Sequence, residues 1–540
     1  MNPTQLVAKA LAIRDESLVD ALPPIKLPEP LPQNVQGIPA QILTAEELEI
    51  TESDAVTLID KMASKTLSCE TVVKAFLARA ALAQKTVNCI TELLYTHAIT
   101  RARYLDSLPE PAGPLHGLPI SVKEQFGFEG KINNNGFVAW CDRQQVPRCS
   151  LNEILERECG AVILARTTQP QSVMHLETNS NVYGRTLNPW NRTLAAGGSS
   201  GGEGALVGFK GSSLGLGGDI GGSIRVPAAN NGVYGFKPTS NRVGNTGGMG
   251  LILGQEEITG CIGPLSPTLS GIELFMRAYL NMCPWNRENT LLPIPWRKVA
   301  LPPKLKIGIM RSDGVVRPHP PVLRAMDTVV DALKAAPEQF EVVDWESRGH
   351  DECWRLTSAL YYEDGGRRLR EVIAAGGEET LPLTSWLLEE TNIKPRTVEE
   401  VWDLKAARNS YRAMYNQLWL DTGKRDGHPV DAILCPVGPG CAPPHDSAKY
   451  WSYTSQWNLL DYPAVSFPVT QVDQRLDIAE DGYTPQNPDD KFNHELYTGP
   501  GRYRDAPVSL QLVTRRYEDE KCLGILRRME MAMGRKAGMT

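Results

Sequence analysis

No uninterrupted apolar run in this chain is long enough to span a bilayer. The first twenty residues mix Lys9, Arg14, Asp15 and Glu16 into their apolar positions and so lack the apolar centre of a secretion signal. No Cys-x-x-Cys pair occurs, and an odd total of eleven cysteines scattered over 540 residues argues for reduced thiols and against a disulfide scaffold. Charge of one sign is missing too. The 56 basic and 63 acidic residues interleave to a net charge of −7, leaving no extended basic field for a phosphate backbone, so nucleic acid is not an expected partner. No repeat of fixed period is present, and histidines and cysteines show no ligand spacing, so neither a metal nor another cofactor is expected. These absences lead to the expectation of a soluble, cytoplasmic protein without a transmembrane segment.

What is there begins with proline. Residues 21–40 carry six prolines, which excludes a continuous helix and reads as an extended arm, so that residues 1–43 form a Pro-rich N-terminal arm and residues 44–540 one large domain. Thr44-Ala45-Glu46-Glu47 has the spacing of a capping box, and regular structure is expected to begin there. Between Ser68 and Gln84, Val73, Phe76, Leu77 and Ala80 share one helical face, predicting a helix that packs by one side. Apolar strand-like runs (Ala161–Ala165, Leu305–Met310, Asp431–Val437, Ala464–Val469) alternate with helical stretches (Val322–Ala336, Asp519–Met533), which predicts an α/β layer fold with a largely buried sheet. Asp473–Asp505, rich in Asp, Asn, Pro and Gly, reads as a long surface loop.

The chemistry concentrates between Gly197 and Pro238. A glycine density this high serves a backbone that approaches a ligand closely, and the interleaved Leu206, Val207, Leu214, Leu216 and Ile224 are too apolar for a solvated linker. Gly197-Gly-Ser-Ser-Gly201 also satisfies G-x-S-x-G, but that nucleophile elbow should follow a strand directly, whereas Asn188–Thr193 looks like a turn. A hydroxyl nucleophile needs a base and an oxyanion site. Consecutive glycines in Asp219-Ile-Gly-Gly-Ser223 let successive N–H groups converge beside the Ser223 hydroxyl. In Gly117–Glu124, strand alternation places Ile120 and Val122 on one face and Ser121 and Lys123 on the other. A lysine there is either an ordinary surface charge or, desolvated in a pocket, a base of lowered pKa.

At this point GLPISVKE, GGSSGGEGA and GGDIGGSIRVPAA followed by GVYGFKPT resemble the amidase signature family in order and spacing, with Ser199 and Ser223 24 positions apart. GRTLNPWN, GCIGPLS, WNLLDYPAVSFPV and APVSLQLVTRR extend the likeness over roughly residues 44–535, nearest to fungal acetamidase-type amidases. The resemblance implies a single α/β/α domain with a central mixed sheet flanked by helices. It implies an acylamide amidohydrolase that needs no cofactor and takes a small-molecule amide, with a homodimer as a common form. Carried over residue by residue, it makes Ser223 the nucleophile, Ser199 a proton relay that follows a cis peptide bond, and neutral Lys123 the base. Ser200 is expected to orient Lys123, the N–H groups of Ile220, Gly221, Gly222 and Ser223 to form the oxyanion hole, and Asp219 and Arg225 to support that loop.

Three positions depart from the family pattern. Gly218 stands where threonine is usual before the loop aspartate, Glu124 stands where aspartate is common, and Asn133-Asn-Asn-Gly136 replaces a hydroxyl-rich turn. Gly218 encourages an alternative, a degenerate member that binds an amide without turnover; an amidotransferase A-like subunit is the other. The acyl pocket is expected from Val173–Tyr183 and Trp451–Asn458, with Met174, Tyr453 and Trp457 hinting at an apolar acyl group.

Overall fold

The computed structural model describes residues 2–23, 25–143, 148–252 and 254–535; Pro24 of the arm and residues 536–540 of the expected domain lie outside the described residues. Thirteen strands are described in chain order: β1 (Ile90–Leu93), β2 (Pro119–Lys123), β3 (Val162–Thr167), β4 (Asn179–Ser180), β5 (Gly184–Arg185), β6 (Leu214–Asp219), β7 (Tyr234–Lys237), β8 (Cys261–Ser266), β9 (Leu305–Ile309), β10 (Phe340–Asp344), β11 (Ala432–Pro436), β12 (Ala464–Gln471) and β13 (Pro507–Val513). All but β4 and β5, which pair with each other, join one eleven-stranded sheet in the order β1-β3-β2-β6-β8-β7-β12-β13-β11-β9-β10. Its two flanks contain the parallel pairs (β3-β2-β6 and β11-β9-β10), while every pairing from β6 through β8, β7, β12 and β13 to β11 is antiparallel. This is the expected mixed sheet flanked by helices, and all four apolar runs read from the sequence are strands in it.

Three local expectations are corrected. Regular structure starts at Pro3 rather than Thr44, because Asn2 and Gln5 cap a helix over Pro3–Ser17 with Pro3 in its first turn. Its Leu6, Val7, Ala10 and Leu11 pack on Val138, Cys141, Val182 and Tyr183, so the segment before the prolines is a docked helix. The helix Cys69–Val87 is buried around nearly its whole circumference, because Ala75, Ala78, Ala81 and Ala83 let neighbours approach on the sides away from the face of Val73, Phe76, Leu77 and Ala80. Asp473–Asp505 is not a plain surface loop. It contains the helix Pro488–Leu496, and Asp477, Asp490, Tyr497 and Tyr503 are buried.

The centre of the sheet positions the chemistry. Two short helices, Gly201–Gly208 and Arg225–Asn231, follow the two serine segments and pack together, and Asn231, which also bonds within its own helix, ties the second helix to the segment before Ser199 by donating to the Ala196 carbonyl at 2.7 Å. Among the described residues, no helix is long and apolar enough to cross a membrane.

Candidate active site

Lys123 is the last residue of β2, in register with Thr167 of β3, and the predicted alternation holds: Ile120 and Val122 enter the core while Ser121 and Lys123 face the serine-bearing segments. Lys123 Nζ donates to Ser199 Oγ at 2.6 Å. The Gly198–Ser199 peptide is cis. One residue on, Ser200 N–H donates to the carbonyl of Ser223 at 3.2 Å, which ties the two serine segments side by side. Lys123, Ser199 and Ser223 line one cavity of about 310 Å³, and the Ser223 hydroxyl has no hydrogen-bond partner among the described residues.

The electrostatics on the lysine side follow from burial. Among the described residues no carboxylate lies within ion-pair distance of Lys123 Nζ, and burial brings its ammonium down to about 7 against the opposing pull of Asp219 and Glu203. Glu203, from the helix behind Ser199, accepts from Ser121 Oγ and Thr167 Oγ1 at 2.6 Å each. Burial pushes its carboxyl up to about 8, despite those hydrogen bonds and the nearby lysine. Both groups are therefore shifted toward their neutral forms.

The loop beyond β6 is held by ionised groups. Arg225 donates through Nε and Nη2 to the two oxygens of Asp219 at 3.0 Å each, a bidentate pair inside the core. Burial alone would raise the Asp219 carboxyl, but Arg225, Lys237 and the Asn458 amide outweigh it and hold the group far below the usual carboxylate range. Asp219 also accepts from Gly222 N–H at 2.7 Å and from Ile224 N–H at 3.2 Å, drawing the loop into a tight turn. Gly222 has φ +130°, and a β-carbon there would collide with the Thr454 hydroxyl. From the opposite side, Tyr361 OH donates to the Ile220 carbonyl at 2.8 Å and Thr454 Oγ1 to the Gly221 carbonyl at 2.6 Å. Because the N–H of a trans peptide points away from its carbonyl, pinning Ile220 C=O to Tyr361 also fixes the direction of Gly221 N–H. The N–H groups of Ile220, Gly221 and Ser223 remain without acceptors among the described residues.

The family model described as Amidase matches residues 71–523. The chain belongs to the amidase signature family. A Schizosaccharomyces pombe protein is 46% identical over 529 residues, covering 97% of this chain and 98% of its own. An acetamidase of Emericella nidulans is 37% identical over 505 residues, 91% of each chain. A fatty acid amide hydrolase structure superposes with a TM-score of 0.91 at 35% identity, covering 98% of this chain and 96% of that one. The protein is thus an amidase, a hydrolase of carbon–nitrogen bonds, built on the amidase signature fold.

Not every sequence expectation for this amidase lands where it was placed. Ser200 makes no hydrogen bond to Lys123; its hydroxyl donates to the Gly218 carbonyl at 3.3 Å, so it braces the end of β6. Gly222 N–H is directed at Asp219, which leaves three rather than four N–H groups of the loop free. Met174 does line the cavity, but Tyr453 OH donates to the Val316 carbonyl at 2.6 Å and Trp457 is buried in the core, so neither shapes the pocket. From Trp451–Asn458 it is Thr454 and Asn458 that reach the site, as braces of the loop. Glu124 accepts from the N–H groups of Asn134 and Asn135 at 3.3 and 3.2 Å, and burial pushes its carboxyl up to about 7.

Sequence reasoning missed Glu203, Tyr361 and Gln511. Glu203 left a signal, a single carboxylate in an otherwise glycine and apolar helix. Tyr361 and Gln511 left none, since each reaches the site across more than 140 positions of chain.

Proposed function

We propose that this amidase hydrolyses a small-molecule carboxylic acid amide through a Ser223 acyl-enzyme, with Ser199 and Lys123 as a two-step proton relay. The observation that carries this reading is the 2.6 Å contact between Lys123 Nζ and Ser199 Oγ in a buried cavity that also holds the unpartnered Ser223 hydroxyl. Ser223 Oγ bonds to the carbonyl carbon as its proton passes to Ser199 and that of Ser199 passes to neutral Lys123. The oxyanion so formed takes the N–H groups of Ile220, Gly221 and Ser223. The carbon–nitrogen bond then breaks as the proton returns along the same path to the leaving nitrogen, releasing ammonia or an amine. Water repeats the cycle on the ester and releases the acid.

Met174, Ile220 and Ile262 in the wall support an apolar acyl group, and the names of an acetamidase and a fatty acid amide hydrolase among the relatives span short and long ones. Gly218 does not argue for a non-catalytic protein, because its main chain is held by Ser200 without a threonine hydroxyl.

The test is ammonia or amine release from short aliphatic, aromatic and long-chain amides by the native protein, Ser223→Ala and Lys123→Ala, alongside fluorophosphonate labelling. Turnover should fall roughly 10²–10⁴-fold in Lys123→Ala and further in Ser223→Ala, which should also lose the label. A Ser223→Ala protein that still turns over or still takes the label would overturn the reading.

A further inference from the structure

The reaction proposed above makes no use of Gln125, two residues beyond Lys123 and in the same cavity wall. Its main chain is fixed, since its carbonyl accepts Met249 N–H at 2.9 Å. Its half-buried carboxamide has no hydrogen-bond partner among the described residues. The other side-chain amides in that wall differ: Gln255 donates to the Leu360 carbonyl at 3.0 Å, and Asn245 is exposed.

Gly218 makes this arrangement possible. A β-carbon at position 218 would stand 3.2 Å from Gln125 Nε2, tighter than an ordinary contact, so any side chain there presses on the carboxamide. A larger residue at 218 and a glutamine at 125 thus compete for one space, and in this chain glycine yields it to the glutamine.

We propose that Gln125 reads the leaving group, and that this amidase favours amides whose leaving amine carries a neutral carboxamide or similar hydrogen-bonding group near the scissile nitrogen. The inference rests on the Ser223–Ser199–Lys123 reading in one respect: Lys123 and Ser199 must return a proton to the leaving nitrogen, so the leaving group lies on the lysine side, which Gln125 flanks. A free carboxamide offers one donor and one acceptor side by side, which matches a second carboxamide through two reciprocal hydrogen bonds. The preferred group is neutral because the wall offers it no free charge: Lys123 is shifted toward its neutral form and bonded to Ser199, and Asp219 is already paired with Arg225.

The experiment compares kcat/KM for two amides of one acid, N-(carbamoylmethyl) and N-isobutyl, whose leaving amines match in shape and differ in polarity; glycinamide is also the weaker base and the better leaving group, a difference that cancels when native and variant enzymes are compared. The native enzyme should favour the carbamoylmethyl amide about tenfold more strongly than a variant without the Gln125 carboxamide, the range expected when a polar partner is left unpaired by the apolar isostere. In Gln125→Met, which keeps the volume and removes the hydrogen bonds, the ratio should fall by that factor, with the loss appearing mainly in KM for the carbamoylmethyl amide. Gly218→Thr, which keeps Gln125 but displaces it, should lower the same ratio and provides the answer if Gln125→Met does not fold. A ratio unmoved in the folded variants sinks the proposal. Failure of the underlying reaction looks different: neither amide is turned over and Ser223 takes no fluorophosphonate.

Discussion

The site buries charge-bearing groups in two contrasting ways. Asp219 meets its countercharge directly, two contacts of 3.0 Å to Arg225, and the pair stays ionised in the core. Among the described residues Lys123 has only a hydroxyl at hydrogen-bond distance, and with Glu203 bonded to two more hydroxyls the burial penalty shifts both toward neutrality. The difference shows that geometry of partners, rather than depth, decides whether a buried group keeps its charge. It also separates two tasks. A loop that must present N–H groups in one direction gains from a fixed ion pair, and a base that must accept a proton gains from having none.

The contrast breaks most severely on the ionised side. Asp219→Ala leaves Arg225 buried without a countercharge and frees the N–H groups of Gly222 and Ile224, so chemical denaturation should show a loss of about 3–5 kcal/mol. A loss well below that range would mean that Asn458 and Gln511 suffice to hold the guanidinium.

Next in size is the pH profile. Lys123 works when neutral, and the neutral fraction grows as pH rises, so kcat/KM should climb about tenfold per unit at low pH and flatten above a midpoint near 7. A midpoint close to the ordinary lysine value would place the ammonium in a far better solvated setting than this cavity.

The smallest effect sharpens the comparison on the neutral side. Removing the residual negative charge of Glu203 takes away one influence that holds the lysine's proton, so Glu203→Gln should move that midpoint downward by about half a unit or less. An upward or larger shift would show that Glu203 shapes the site by packing rather than by charge.

How much of this was legible depended on distance along the chain. The alternation in Ile120–Lys123 and the spacing of Ser199, Ser223 and Asp219 are local patterns, and each named its residue before any coordinates. The layered α/β architecture was legible because its strands are short apolar runs. The helix Cys69–Val87 was misjudged because alanine does not announce whether its side of a helix is covered. The N-terminal helix was not legible because its short stripe of Leu6, Val7, Ala10 and Leu11 is covered by Val138, Cys141, Val182 and Tyr183, all more than a hundred positions away. Tyr361 could not be read at all, and although Thr454 and Asn458 fall in a segment expected at the pocket and Gln511 in a stretch that resembles the family, nothing near them in sequence says that they brace a loop at Ile220–Arg225.

Those braces also set an order of assembly during synthesis. A ribosome that has released residues up to the end of β8 has delivered Lys123, Ser199 and Ser223, yet Arg225 still awaits Gln511, 286 positions away. Contacts of such sequence separation close late. The nascent chain therefore carries its reactive groups through the 286 positions that separate Arg225 from Gln511 without the full set of braces that fix their turn, and that set is complete only when β13 slots between β12 and β11.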